Sequence, residues 1–425
     1  MNLIILFLDV ASLTAIALWW YRRQSQDIKR YFFPALTIKI LAGAAVGILY
    51  FYHYQLGDTI AYWQDGKKIA DFIRSDWSMA LSFFWDESEY TDFVTSLQQQ
   101  APRSLYFSKM SGLLALVTAG NYWMMSSMLS FVSFVGSWHL FRRICMTFPE
   151  HRIAAALAFL FFPSVILWSA GLIKESAGLA ALYFLIATCV AILSGKRISL
   201  YEWAGFAFAL WVGWNLKYYW LGIFIPVAVT TIAVVWLRQI QPSLIRFEIF
   251  LWSGVFLLLL ILATNVHPNF YLSRFLEVIY QSNLDFVHHS PPPRIVQYLN
   301  LEPSMVSMVM NAPAAWIAGL FRPFVWESFN MLSLMAGLEN LAMLIVVVLA
   351  ITGLRNLRRS PHRLAILSVL VYSGLLVTFL ALSTPNFGTL SRYKIGVIPL
   401  LLFVCLTGSP MLSRWLGKKQ RLGED

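Results

Sequence analysis

Charged side chains are scarce in this sequence, at 12% of residues, where a soluble domain carries about 25%. That scarcity excludes an ordinary water-soluble enzyme. Cysteine is almost missing as well. Cys145, Cys189 and Cys405 have neither disulfide nor metal-ligand spacing and read as apolar filler. There is no Walker loop, no G-x-G-x-x-G after a strand, no H-E-x-x-H and no G-x-S-x-G. Short alternating strands of roughly ten residues are lacking too, which argues against a β-barrel.

What is present is apolar. Hydrophobic residues make up 59% of the chain and its mean hydropathy is +0.65. The fold class is therefore an all-α polytopic membrane protein, read as one bundle over residues 1–425. The apolar runs predict about eleven transmembrane helices. They fall near 2–21, 34–54, 121–141, 153–170, 176–194, 201–215, 218–237, 248–265, 329–353, 364–383 and 395–411. The connector Leu216-Lys217 is the shortest between them. The first run lacks a preceding basic residue and a small-residue cleavage site, so it reads as a span and not as a cleaved signal.

Basic residues recur in short clusters between these runs. Arg22–Arg23 with Lys29–Arg30 is the first, and Arg414, Lys418, Lys419 and Arg421 form the last. Together the clusters hold 19 of the 32 lysines and arginines. Short loops rich in Lys and Arg stay cytoplasmic. The net charge of +11 is thus a topology signal and not a nucleic-acid footprint. Threading on that rule places the chain in the cytoplasmic (inner) membrane, with its N-terminus outside and its C-terminus inside. With only short loops inside, nucleotide-using chemistry there has little to sit on.

Two outer segments are too long for simple turns. The first, 55–104, holds eight acidic residues from Asp58 to Asp92 among aromatics. Within it, 58–73 predicts a helix with an apolar stripe of Ile60, Trp63, Ile69, Phe72 and Ile73. The following stretch, 105–119, is apolar but interrupted by Lys109, and reads as an interfacial or re-entrant helix. The second segment, 265–310, is stiffened by Pro291-Pro292-Pro293. It holds His288-His289 in what reads as a loop, without further metal ligands.

Several charged motifs stand at the expected outer boundary, apart from Lys39 and Glu339 deeper in the spans. Gly57-Asp58-Thr59 begins the helix of the first outer segment, with Tyr62 one turn on. Asp58 suits a general base near a low-dielectric boundary, and equally a helix cap. Lys174-Glu175 interrupts an apolar stretch between Pro163 and Ser176. Lys174 suits an anion, and the pair also reads as a snorkelling loop. Arg322 and Glu327, five residues apart, can pair with each other. Glu339, followed by Asn340, needs a partner from another helix. Arg392-Tyr393-Lys394 opens the last span. A guanidinium there can hold a phosphate by two parallel hydrogen bonds, or anchor the interface.

In architecture the chain resembles the GT-C superfamily of integral-membrane glycosyltransferases, which use polyprenyl-phosphate sugars. Gly57-Asp58-Thr59-Ile60-Ala61-Tyr62 resembles that family's first-loop acidic motif. Arg392-Tyr393, with Pro399 downstream, resembles a late motif of bacterial members. The stretches 163–176 and 321–330 look like features of bacterial relatives. The chain departs from the family in placing the acidic loop after the second span. It also lacks an Asp-x-Asp beside Asp58, with Glu87-Ser-Glu89 the nearest such pair, so a divalent cation stays open.

The resemblance implies inverting transfer of a sugar from a polyprenyl-phosphate donor to a lipid- or glycan-type acceptor at the outer face. Asp58 is then the base and Arg392 the phosphate ligand. Lys174, Arg322 and Lys394 assist, and Tyr62, Glu175, Glu327 and Tyr393 complete the substrate-binding set. Membrane lipids are the other expected partner, and nucleic acid is not. A polysaccharide polymerase or ligase acting on lipid-linked glycans would share these features. A transporter or a non-catalytic membrane subunit is the remaining class. No internal repeat of the kind common in transporters stands out.

Overall fold

The computed structural model describes residues 2–266, 271–328 and 330–422. Residues 267–270 of the second outer segment and Phe329 lie outside the described residues, as do the side chains of the 418–421 basic cluster. Among the described residues the regular structure is helical, with one isolated antiparallel bridge between Ile295 and Asn386. The chain is a polytopic helical membrane protein. Among the described residues eight helices are long and apolar enough to cross a membrane, or nine if a pair bent by 64° counts as one span. The sequence suggested eleven.

The difference has identifiable causes. The run expected over 153–170 is broken into Arg152–Phe159 and Pro163–Trp168. Pro163 lacks an N–H and disfavours helix in the residue before it. The runs expected over 201–215 and 218–237 form one helical stretch of 41 residues, Leu200–Ile240. At 1.5 Å per residue that is about 60 Å, twice a hydrocarbon core. Its backbone leaves helical geometry at Lys217 (φ −140°, ψ 52°), within the connector read from the sequence. The last expected span is the bent pair, Phe387–Gly396 with Ile398–Gly408.

The helices pack as two compact units. The first comprises Met1–Arg142, Ile166–Ala187 and Leu200–Tyr218. It contains the predicted Asp58 helix, which runs over Asp58–Ser75. That helix packs along Pro102–Val117, the stretch expected to be interfacial. Glycines make the close approach. A Cβ on Gly66 would lie 2.9 Å from the Ser111 carbonyl, and one on Gly112 only 2.4 Å from Ile69. Asp65 is fully buried at the same crossing. Its carboxylate accepts the Gln98 and Gln99 N–H groups at 2.8 and 2.9 Å and the Ser108 hydroxyl at 3.2 Å. Ile69, Ile73, Ala80, Phe83, Leu97 and Leu105 form a small core within the 55–104 segment and the start of the next helix. Lys109 ties it down by donating to the Phe83 carbonyl and to Glu87.

The second unit comprises Arg143–Val165, Thr188–Ser199 and Tyr219–Asp425. Met305–Phe321 packs on Arg363–Ser383, with Gly319 against the Val377 carbonyl. The described part of the 265–310 segment is structured and tethered. It carries the helix Leu272–His289, so the two histidines end a helix and do not lie in a loop. Asn283 donates to the Leu382 carbonyl, the Val296 N–H to Pro385, the Tyr298 hydroxyl to Ala381, and Asn386 to Ser290. These bonds clamp the irregular stretch that precedes Arg392.

Candidate functional site

Six charged or polar motifs nominated from the sequence collapse into two clusters, one in each unit. In the first unit the chain reaches Asp58 through Gly57, at φ 128°. Only glycine adopts that angle readily, and a Cβ there would lie 2.6 Å from the Tyr50 ring. Gly57 occupies the cap position and Asp58 is the first helical residue. The capping alternative for Asp58 is corrected accordingly: its carboxylate sits in the first turn, where the helix dipole favours negative charge.

One turn on, Tyr62 is fully buried against Phe107, with ring centroids 4.6 Å apart. Its hydroxyl points at Ser104 Oγ at 3.4 Å, and Lys174 Nζ donates to the same oxygen at 3.0 Å. The ammonium also stands 5.6 Å from the centroid of the Tyr62 ring. Two motifs more than a hundred residues apart in sequence thus meet on one serine that the sequence did not single out.

Glu175 points elsewhere. It is fully buried and forms an ion pair with Lys217 at 2.7 Å. Lys217 is the residue at which the long helix breaks, and the break directs its ammonium into the unit's interior. The stretch between Trp168 and Lys174 is not helical, so its backbone needs other partners inside an apolar bundle. Lys39 donates to Ser169, Ser130 accepts the Gly171 N–H at 2.8 Å, and Ser176 donates to the Gly171 carbonyl at 2.8 Å. Lys39, set apart in the sequence as a deep charge, is therefore a brace for the Lys174 loop.

In the second unit Arg322 and Glu327 do pair. Arg322 Nε lies 3.0 and 3.1 Å from the two carboxylate oxygens, and Nη2 bonds one of them as well. Glu327 also accepts the Phe324 N–H at 2.8 Å. The guanidinium stands 4.8 Å over Phe387, at the start of the Arg392 helix. Lys394 is buried. It donates to Asn340 Oδ1 at 2.6 Å and to the Leu320 carbonyl at 3.2 Å. Asn340 in turn donates to the Pro323 carbonyl at 2.9 Å. Glu339 accepts the Ser164 N–H at 2.8 Å and feels the charge of Lys394. Its partner from another element is thus Ser164, with Lys394 as the nearby charge. Arg392 is 9% exposed and lies 5.5 Å from the Tyr393 ring centroid. Beside this cluster, burial pushes the Tyr298 phenol above its usual value, while the charge of Arg322 opposes that rise.

Asn340 and Ser104 are the residues that sequence reasoning undervalued. Neutral polar side chains carry no charge signal, and each becomes informative only through the lysine it holds. Among the described residues no group of three or more His, Cys, Asp or Glu is placed to hold a metal ion. Comparison with protein-family models, with curated proteins and with solved structures finds no match.

Proposed function

We propose that the protein is a membrane glycosyltransferase that moves a sugar from a polyprenyl-phosphate donor to an acceptor hydroxyl at the outer face of the cytoplasmic membrane. The observation that supports it best is the meeting of Tyr62 and Lys174 on Ser104, one turn from Asp58. The acidic first-loop motif and a lysine motif then form one polar cluster within an apolar bundle, where charged groups mark function by default.

In this reading Asp58 takes the proton of the acceptor hydroxyl. The freed oxygen attacks the anomeric carbon with inversion. The bond from that carbon to the phosphate oxygen breaks, and its electron pair leaves on the phosphate. Lys174, in the same unit as Asp58, offers that phosphate a cation; Arg392, with its planar fork, is the phosphate ligand that the family resemblance implies. Fixed cations at a developing anion act strongly where water is scarce. Arg322 and Lys394 take positioning roles. The Arg322 fork is filled by Glu327, and Lys394 is spent on Asn340 and a backbone carbonyl.

The test is complementation of a host lacking the chain, with mass spectrometry of lipid-linked and envelope glycans. Wild type restores one glycan species. Asp58→Asn, at equal membrane abundance, lowers its formation about 10²–10⁴-fold. Addition of one sugar supports a transferase, and addition of whole repeat units supports a polymerase or ligase instead. An unchanged glycan profile on deletion, or full activity in Asp58→Asn, overturns the reading.

A further inference from the structure

One cavity belongs to neither polar cluster. It has a volume of about 470 Å³ and lies within the first unit. Its walls are Phe51, Tyr52, Trp63, Tyr122 and Trp123, closed by the turn at 118–121. That size falls in the range of small-molecule sites.

The walls are preset by bonds behind them. The Trp63 indole donates to the Gly120 carbonyl at 2.8 Å. The Tyr122 hydroxyl shares a hydrogen bond of 2.9 Å with Thr59, the residue after Asp58. Phe51 meets Tyr122 edge-on at 4.8 Å. Phe51 and Tyr52 belong to a π-helical turn, Leu49–Tyr54, that ends the second span. Such turns recur at functional sites. The closing turn uses two left-handed residues, Ala119 and Gly120. The held rings of Phe51, Trp63 and Tyr122 spare a ligand part of the ordering cost of binding.

The lining chemistry discriminates between occupants. A lipid chain is matched by aliphatic surface, and Ala119 is the only aliphatic side chain in the lining. A pyranose ring has a C–H face that stacks on an aromatic plane and an edge of hydroxyls that needs hydrogen-bonding groups. The rim supplies them. Asn121 is exposed, and its carboxamide oxygen caps the next helix through the Met124 N–H, so its NH2 is a donor toward solvent. Exposed Lys67 stands 4.3 Å over the Trp63 ring.

We propose that this aromatic pocket is a saccharide subsite that seats a pyranose unit of a substrate glycan. Its use in transfer rests on the glycosyltransferase reading, because Thr59 and Trp63 place the pocket on the same helix as Asp58. The binding itself does not depend on that reading.

The test is saturation-transfer NMR on the full chain in nanodiscs. The ligands are the methyl pyranosides of glucose, galactose, mannose and N-acetylglucosamine, with geranyl phosphate as the lipid control. At least one pyranoside receives saturation on its ring C–H protons. Trp123→Ala weakens that pyranoside about tenfold, the size of one well-packed aromatic contact, and Trp123→Phe recovers most of it. Tyr52→Ala serves as a second variant, because the residue is 74% exposed and carries little packing. Binding that survives in Asp58→Asn supports the subsite. If Asp58→Asn also keeps full transfer, the base assignment fails and the subsite stands. Absence of saturation for all four pyranosides overturns the subsite. So does geranyl phosphate as the only ligand that depends on Trp123.

Discussion

Two glutamates, Glu175 in the first unit and Glu327 in the second, are neutralised in opposite ways. In the first, Glu175 and Lys217 come from elements 42 residues apart, and both are essentially inaccessible, at 0% and 2% exposure. In the second, Arg322 and Glu327 lie five residues apart and keep 25% and 19% exposure. The first arrangement fixes tertiary structure, since a broken helix must stand in place before the pair can form. The second shapes only a local turn and presents its guanidinium to Phe387. Burial decides the energetics. A fully enclosed charge has no water to fall back on when its partner is removed, and a half-exposed one does.

The largest expected effect tests that contrast directly. Glu175→Gln or Lys217→Met alone strands a buried charge and costs about 3–5 kcal/mol. The double variant recovers most of that loss. Thermal unfolding of the four proteins in nanodiscs closes the cycle. A double variant no better than either single one would show that the pair is not the interaction that matters there.

Next in size is the donor phosphate. Arg392→Lys keeps the charge but loses the planar fork. Loss of one charge-assisted hydrogen bond costs about 1.5–3 kcal/mol, or roughly ten- to a hundredfold in affinity for a polyprenyl phosphate. An interfacial anchor would tolerate lysine, which snorkels equally well. Equal affinities of wild type and Arg392→Lys in detergent would therefore assign Arg392 to anchoring.

Individual helix positions also differ in how tightly they are packed. Gly66 in the first unit would place a Cβ 2.9 Å from a backbone carbonyl, whereas Gly222 in the second has nothing within 4 Å. Gly66→Ala is expected to destabilise by about 1–3 kcal/mol through overpacking. Gly222→Ala is expected to gain about 0.5–1 kcal/mol from helix propensity. Equal melting shifts would mean that the crossing of Asp58–Ser75 with Pro102–Val117 is looser than it looks.

The smallest effect belongs to Arg322→Lys. It keeps a partly exposed charge opposite Glu327 and gives up the double contact, which costs about 1 kcal/mol or less. A loss as large as that of Glu175→Gln would erase the distinction between the two pairs.

Individual residues show how far sequence alone reaches. The stripe from Ile60 to Ile73 placed the Asp58 helix, because hydrophobic spacing is a local property of the chain. Arg322 and Glu327 were legible for the same reason: five residues fix their distance whatever the rest of the fold does. The break at Lys217 was legible as the connector between two apolar runs. Its destination was not. Nothing local says that Lys217 turns toward Glu175, or that Lys174 turns away to Ser104. The interruption at Pro163 was visible, yet the run around it was apolar enough to pass for one span. Hydropathy counts oil and not backbone geometry.

The sequence by itself determined that this chain lives in a membrane as a helical bundle. Composition and run length settle that, because a bilayer accepts backbone only with its hydrogen bonds made inside the segment. It also determined where its charges interrupt the apolar runs. Only the tertiary structure decided which charges meet. It gave Lys39 to Ser169, Lys174 to Ser104, Lys217 to Glu175 and Lys394 to Asn340. In a low-dielectric interior every ammonium needs a partner, but which partner is in reach depends on helix packing, and packing is not written in any single stretch of chain.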